Sequence, residues 1–289
     1  MPVKKSTRSI FRLAKLCVTY FILLVWAFLV IAPLFWLVTT SFKEKLDVYL
    51  GPKFIPWLDF QPTIRWWIRI FTIEKDSLLK PYANSLIVGS VSALGSTFLG
   101  LMAAYALTRF RFKFGFMKNE DILFWIVSQR IMPPIIIVFA IFSMYRTLGL
   151  LDSHLGLILV YTAFNLPLSV WILANFLGQL PPSIEEAALV DGAAPLTILF
   201  RIVVPMMLPS LTATFLLCFV FAWNEFLFAL ILTYSRCQTM PILIAAQHFQ
   251  RGPQWWDISA LSVLAVLPPV GITIALQKYF IRGIIPVGK

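Results

Sequence analysis

The sequence reads as an all-α membrane protein with six helices crossing the bilayer. Of 289 residues, 60% are hydrophobic and only 13% are charged, against about 45–50% apolar and about 25% charged in a soluble domain. The mean hydropathy is +0.85, and the excess lies in long apolar blocks rather than being spread along the chain. Basic residues collect between those blocks. A disordered chain, a disulfide-stapled secreted domain and an ordinary cytosolic enzyme are excluded on these grounds. The net charge of +11 marks basic ends of a membrane protein, and no nucleic acid is expected as a partner. Cys17, Cys218 and Cys237 lie far apart with no CxxC pair, so neither a disulfide framework nor a metal site is expected.

A helix rises about 1.5 Å per residue and needs roughly 20 apolar residues to cross about 30 Å of hydrocarbon. Six stretches meet this: 16–38, 84–107, 122–145, 156–177, 206–233 and 259–280. The first is too long for a signal-peptide core and lacks a small-residue cleavage site, so it is expected to be retained. The second is rich in Gly89, Gly95, Gly100, Ala103 and Ala104, small residues that allow close helix approach in lipid. Prolines at Pro33, Pro133–Pro134, Pro167 and Pro268–Pro269 are expected to interrupt four of the spans, as flex points or as packing kinks.

Residues 1–15 form a basic N-terminal segment, with Lys4, Lys5, Arg8, Arg12 and Lys15, and 16–289 a single transmembrane domain. Arg109, Arg111, Lys113 and Lys118 link the second and third spans, and Lys278, Arg282 and Lys289 mark the C-terminus. These segments fall on one side of a six-span chain. The positive-inside rule makes that side cytoplasmic, with both termini inside. The loop 41–81, expected on the opposite side, is aromatic (Phe54, Trp57, Phe60, Trp66, Trp67) and reads as an interfacial segment or a docking surface.

Little in the chain points to covalent chemistry. There are two histidines, His154 and His248, both expected in external loops, and neither HExxH nor GxSxG occurs. Gly95 and Gly100 have the spacing of a phosphate loop, but Leu101 and Met102 follow in place of Lys and Ser/Thr. That pair is read as helix packing, and no catalytic residue or cofactor is assigned to this chain.

The segment 181–205 departs from the apolar background. Ser183 followed by Glu186 has the pattern of a capping box. Glu185 and Glu186 would occupy the first turn, where the dipole favours anions. Ala187 and Ala188 give a small-residue surface, Asp191 and Gly192 end the helix, and Pro195 suits the start of another. The expectation is a short, self-capped helix held at the cytoplasmic face.

This segment, Glu186-Ala-Ala, then Gly192, then Ile202-Val-Val-Pro205, resembles the EAA motif of permease subunits in bacterial ATP-binding cassette importers. Asn84-Ser-Leu, Ala103-Ala-Tyr-Ala-Leu, Ala222-Trp-Asn-Glu-Phe and Tyr279-Phe-Ile-Arg-Gly are similar to carbohydrate permeases of the maltose-transporter type, specifically the smaller, six-span subunit. Met117-Lys-Asn-Glu-Asp-Ile and Ser128-Gln-Arg-Ile-Met-Pro-Pro resemble members handling polyols or small glycosides. The resemblance implies the type I importer permease fold in the bacterial inner membrane. It also implies a second homologous permease, two ATPase subunits that bind ATP and Mg, and a periplasmic solute-binding protein as partners. Glu185, Glu186, Ala187, Ala188, Asp191 and Gly192 would then form a coupling helix that docks on an ATPase subunit. Gln250, Arg251, Trp255 and Trp256 would form a tip reaching the binding protein, or else an interfacial anchor.

Ionisable residues inside a membrane usually face a cavity or a partner. Arg130 with Gln129, Glu225 with Trp223 and Asn224, and Asn165 are the candidates for a sugar or polyol path, where hydroxyls need donors and acceptors and C–H faces need rings. Structural readings stay open: an Arg130–Glu225 ion pair, or Glu225 capping an interrupted helix. Two other functions are weighed. An autonomous secondary carrier or channel would use Arg130 and Glu225 as an ion relay, although no inverted repeat is visible. A lipid- or glycosyl-transfer enzyme would need paired carboxylates or a metal cluster at one interface. Glu185, Glu186 and Asp191 come nearest to that and lack a histidine.

Overall fold

The computed structural model describes residues 3–115, 117–249 and 252–284. Helices dominate, and the chain divides into two compact units, one of residues 1–73 and 247–264, the other of 74–246 and 265–289.

In the first unit, α1 (Val3–Thr40) is a continuous helix passing through Pro33. Its apolar stretch Lys15–Thr40 is long enough to cross a membrane; its side chains are mostly exposed up to Val38, and Thr39 and Thr40 are buried. Two short helices, α2 (Lys45–Tyr49) and α3 (Arg65–Thr72), follow in the loop 41–81 that reads as an interfacial segment or a docking surface. They are built around Trp66, which is 3% exposed, donates its indole N–H to the Lys43 carbonyl (2.9 Å) and packs on Trp256 (5.3 Å between centroids). The loop therefore carries its own small core.

The second unit is a bundle around α4 (Lys75–Arg109) and α7 (His154–Leu177), with α11 (Leu208–Trp223) against both. Small residues set the spacing. A methyl group on Gly100 would fall 2.4 Å from the Ser169 Cβ, so only glycine lets α4 and α7 approach this closely. The phosphate-loop spacing at Gly95–Gly100 is indeed helix packing. His154, expected in a loop, is instead the first residue of α7, with Nε2 2.8 Å from Asn84 Oδ1.

Among the described residues four helices are individually long and apolar enough to cross a membrane, or up to six if two bent pairs each count as one span. The first bent pair is α5 (Asn119–Ser128) with its following turn to Ile131, then α6 (Pro134–Leu148), bent by 89°. Of the four proline sites, only this one breaks a helix. Pro167, Pro268 and Pro269, like Pro33, lie inside unbroken helices, the last two in α13 (Trp255–Ile284). The second bend, 80° at Met207, joins 195–206 to α11. The fifth span also stops at Trp223 and resumes as α12 (Leu227–Leu232), the break falling at the polar pair Asn224–Glu225.

One loop clasp holds the end of the bundle opposite 181–205 in the chain's path. Asp152, in the left-handed region at φ 51°, is 6% exposed. Its carboxylate accepts the N–H groups of Arg236 (2.9 Å) and Cys237 (3.0 Å) and the Ser235 hydroxyl (3.0 Å). Burial alone would raise its pKa, but these donors outweigh burial and hold it below the usual 3.8.

Candidate functional site

Two features of the second unit carry the chemistry: a short helix at one end of the bundle and a polar cleft within it.

The helix α8 (Pro182–Val190) starts with Pro181 as N-cap and Pro182 at the first helical position. Ser183 is thus one residue inside the helix and makes no cap hydrogen bond, so the capping box expected at Ser183–Glu186 does not form. The C-terminal end follows the sequence pattern. Gly192 adopts φ 83°, its N–H bonds the Leu189 carbonyl and the Ala193 N–H bonds the Ala188 carbonyl, both at 3.0 Å, the paired bonds of a Schellman cap. Pro195 opens α9 (Pro195–Ile198), which runs on through a π turn (Leu199–Val203) and α10 (Val204–Met206).

The two adjacent glutamates face opposite ways. Glu185 is 7% exposed; its carboxylate accepts Arg109 Nε at 2.7 Å and the Tyr105 hydroxyl at 2.9 Å. Arg109 also donates to the carbonyls of Leu177 (3.1 Å) and Leu180 (3.2 Å). One guanidinium therefore joins the end of α4, the end of α7 and α8. In the sequence Arg109 carries only an orientation signal, and nothing in its spacing points to this role. Behind α8, Ile198, Leu199, Val203 and Met207 are all at most 2% exposed against Leu101, Ala104, Leu173 and Leu177. Burying each such side chain is worth about 1.5–3 kcal/mol, so the segment that follows α8 is firmly anchored, while α8 itself buries only Glu185 and is held through the ion pair. Glu186, Ala187 and Asp191 are exposed, Ala188 is half-buried, and Val190 is 88% exposed at the outer tip.

The cleft, about 270 Å³, is near the ~300 Å³ lower end of ordinary small-molecule sites. Arg130, Asn165 and Glu225 line it, joined by Tyr161, Phe164, Phe221 and Phe228, which the sequence reading missed because they look like ordinary span residues. Arg130 Nη1 donates to the Phe164 carbonyl at 2.8 Å and approaches Asn165 Oδ1 at 3.4 Å, with the guanidinium 4.6 Å from the Phe221 ring centroid. Glu225 Oε1 accepts the Phe228 N–H (2.9 Å) and Oε2 the Ala229 N–H (3.2 Å), so Glu225 caps α12. Among the described residues it forms no ion pair with Arg130, and of the structural readings left open the cap is the one that holds.

The other three expected path residues lie elsewhere. Trp223, 3% exposed, packs on Phe219 and donates to the Ala265 carbonyl (3.0 Å). Asn224 and Gln129 are exposed and bond to their own helices at Val220 and Trp125. The expected loop tip is also revised. Trp256 is 5% exposed, within the first unit, and so is not a surface anchor, while Trp255 is 44% exposed. Gln250 and Arg251 lie outside the described residues.

Residues 96–286 match the family described as binding-protein-dependent transport system inner membrane component. The chain belongs to that family. This permease is 32% identical to the trehalose/maltose transport system permease protein MalG of Thermococcus litoralis, over 89% of this chain and 91% of the relative. It is 34% identical to the inner membrane ABC transporter permease protein YcjP of Escherichia coli, over 87% and 88%. Its fold is shared with a bacterial ABC transporter involved in import of the acidic polysaccharide alginate, with a TM-score of 0.72 at 21% identity over 95% of this chain and 98% of that one. The permease is thus a multi-pass component of a binding-protein-dependent importer.

Proposed function

We propose that this permease is one of two homologous membrane subunits of an ATP-driven importer for a sugar, polyol or small glycoside. The observation that carries the reading is α8: a nine-residue helix, capped at its C-terminal end and locked to the bundle through Glu185–Arg109, with Val190 exposed at its tip. A helix fixed this firmly transmits a push, where a flexible loop would absorb it. ATP and Mg belong to two separate ATPase subunits on the cytoplasmic side, where both termini also lie. Closure of those subunits on ATP would move α8, and through Arg109 the ends of α4 and α7; α7 carries Tyr161, Phe164 and Asn165 of the cleft further along its length.

The cleft suits such cargo. Arg130 and Asn165 offer donors and acceptors to hydroxyls, and Phe164, Phe221 and Phe228 offer faces to C–H groups. The sugar names carried by relatives support this class without fixing its member. Reconstitution tests the assignment. Sugar uptake is expected to require the second permease, the ATPase subunits, the solute-binding protein and ATP together. Uptake by this chain alone down an ion gradient would replace the reading with an autonomous carrier.

A further inference from the structure

The first unit contains a buried cation without an anion. Lys43, just past the end of α1, is 1% exposed, and its Nζ lies 3.9 Å from the Trp36 ring centroid and 5.3 Å from that of Phe60. No hydrogen-bond acceptor or carboxylate reaches that ammonium among the described residues. The acidic neighbours are engaged elsewhere: Asp47 pairs with Lys53, and Asp59 Oδ2 accepts the N–H groups of Phe54 and Ile55, both at 2.8 Å. A buried ammonium without an acceptor is unfavourable, and two ring faces offset only part of that. Burial holds the Lys43 pKa below its usual value, against the opposing pull of Asp47 and Asp59.

Beside Lys43 lies a cavity of about 410 Å³, lined by Trp36, Thr40, Val48 and Trp255 among others. The Thr40 hydroxyl is fully buried there and has no hydrogen-bond partner. Two donors without partners thus share a cavity whose lining is mostly apolar, its other polar residues being Asp47, already paired with Lys53, and Ser259. Its wall includes the last turn of α1, which follows an exposed apolar stretch long enough to cross a membrane, and two tryptophans, the residue enriched at headgroup depth. An acidic side chain of another protein would satisfy the ammonium but has no use for this apolar lining. A phosphate carrying acyl chains uses both.

We propose that the cavity is a binding site for a membrane glycerophospholipid. Lys43 Nζ and Thr40 Oγ1 hold phosphate oxygens, and Trp36, Val48 and Trp255 flank the start of an acyl chain.

The assembled importer, stripped of lipid in mild detergent, would be titrated with phosphatidylglycerol and, separately, with diacylglycerol, with bound lipid counted by native mass spectrometry. The wild type is expected to retain phosphatidylglycerol at least about tenfold more tightly than diacylglycerol, as a charge-assisted bond to phosphate requires. Lys43→Met should abolish that preference and Lys43→Arg should keep it, while Thr40→Val should weaken retention severalfold. Equal retention of the two lipids by the wild type would overturn the proposal, and that comparison needs no variant to fold. Unchanged retention in Lys43→Met would overturn it too. A Lys43→Met importer that keeps its lipid but loses affinity for the solute-binding protein would reassign the site to an acidic protein contact.

Discussion

Replacing Glu185 with alanine removes the acceptor shared by Arg109 and Tyr105. The ion pair is well enclosed, with side-chain exposures of 13% for Arg109 and 10% for Glu185. Breaking such a pair from one side costs about 3–5 kcal/mol, because the remaining charge is left without its partner. Arg109 keeps its bonds to the carbonyls of Leu177 and Leu180, which places the expected loss near the lower end, about 3 kcal/mol. At 1.36 kcal/mol per factor of ten, the population in which α8 is detached should rise roughly 100-fold. Hydrogen exchange in the assembled importer reads this directly: amides of α8 should exchange faster by about two orders of magnitude, while those in the middle of α7 stay protected. Uptake per ATP hydrolysed should fall in parallel. Glu186→Gln, one residue along and exposed, should change local stability by no more than about 0.5 kcal/mol. A double-mutant cycle with Arg109→Ala should show strong coupling. Unchanged α8 exchange and unchanged uptake per ATP in Glu185→Ala would refute the lock.

Further outcomes follow from the same geometry. Gly192→Ala forces a side chain into φ 83°, should destabilise the end of α8 by about 1–2 kcal/mol, and should show as faster exchange at Val190 and Asp191. Gly100→Ala places a methyl 2.4 Å from the Ser169 Cβ and should lower thermal stability by about 1–3 kcal/mol; adding Ser169→Gly should restore much of it. Asp152 has a folded pKa below the usual 3.8, so it stabilises above that value and the contribution fades as pH falls toward the lower folded pKa. Thermal unfolding in detergent should therefore lose stability on acidification below about pH 4. Asp152→Asn tolerates the left-handed backbone but removes the charge, and should flatten that part of the profile. Arg130→Gln should reduce uptake about tenfold or more with assembly intact, measured by transport in proteoliposomes, because the cleft loses a charged donor.

Much of the fold was legible because a bilayer leaves few options. Long apolar blocks must be helices, and the stretches at 16–38, 84–107, 156–177 and 259–280 all fall within single continuous helices. The errors share one cause: local sequence rules were read where packing decides. A proline inside a span signals a break, yet the helices run on through Pro33, Pro167 and Pro268–Pro269. The break at Met207 sits in apolar sequence that gives no sign of it, whereas the break at Asn224–Phe226 coincides with the polar pair Asn224–Glu225. At the site, α8 and its glycine cap were visible from short-range turn chemistry. The opposite orientations of Glu185 and Glu186 were not, since they depend on Arg109, 76 residues earlier in the chain. Likewise Arg130, Asn165 and Glu225 stood out as polar residues in apolar spans, whereas Tyr161 and the three phenylalanines of the cleft look like any other core residues. Trp256 shows the converse: by sequence it is an aromatic at a loop tip, and in the fold it is buried as the partner of Trp66.

The claim that α8 carries force from the ATPase subunits to the bundle is tested most directly by tethering its tip. Val190, 88% exposed, would be replaced by cysteine after the exposed Cys17 is changed to serine, and paired with cysteines placed across the face of an ATPase subunit in the reconstituted importer. A disulfide to that subunit is expected to form with the assembled complex, to stop both uptake and ATP hydrolysis, and to release both on reduction. An active complex in which Val190→Cys reaches no ATPase position, or in which the cross-link leaves uptake at its full rate, would contradict the coupling role of α8.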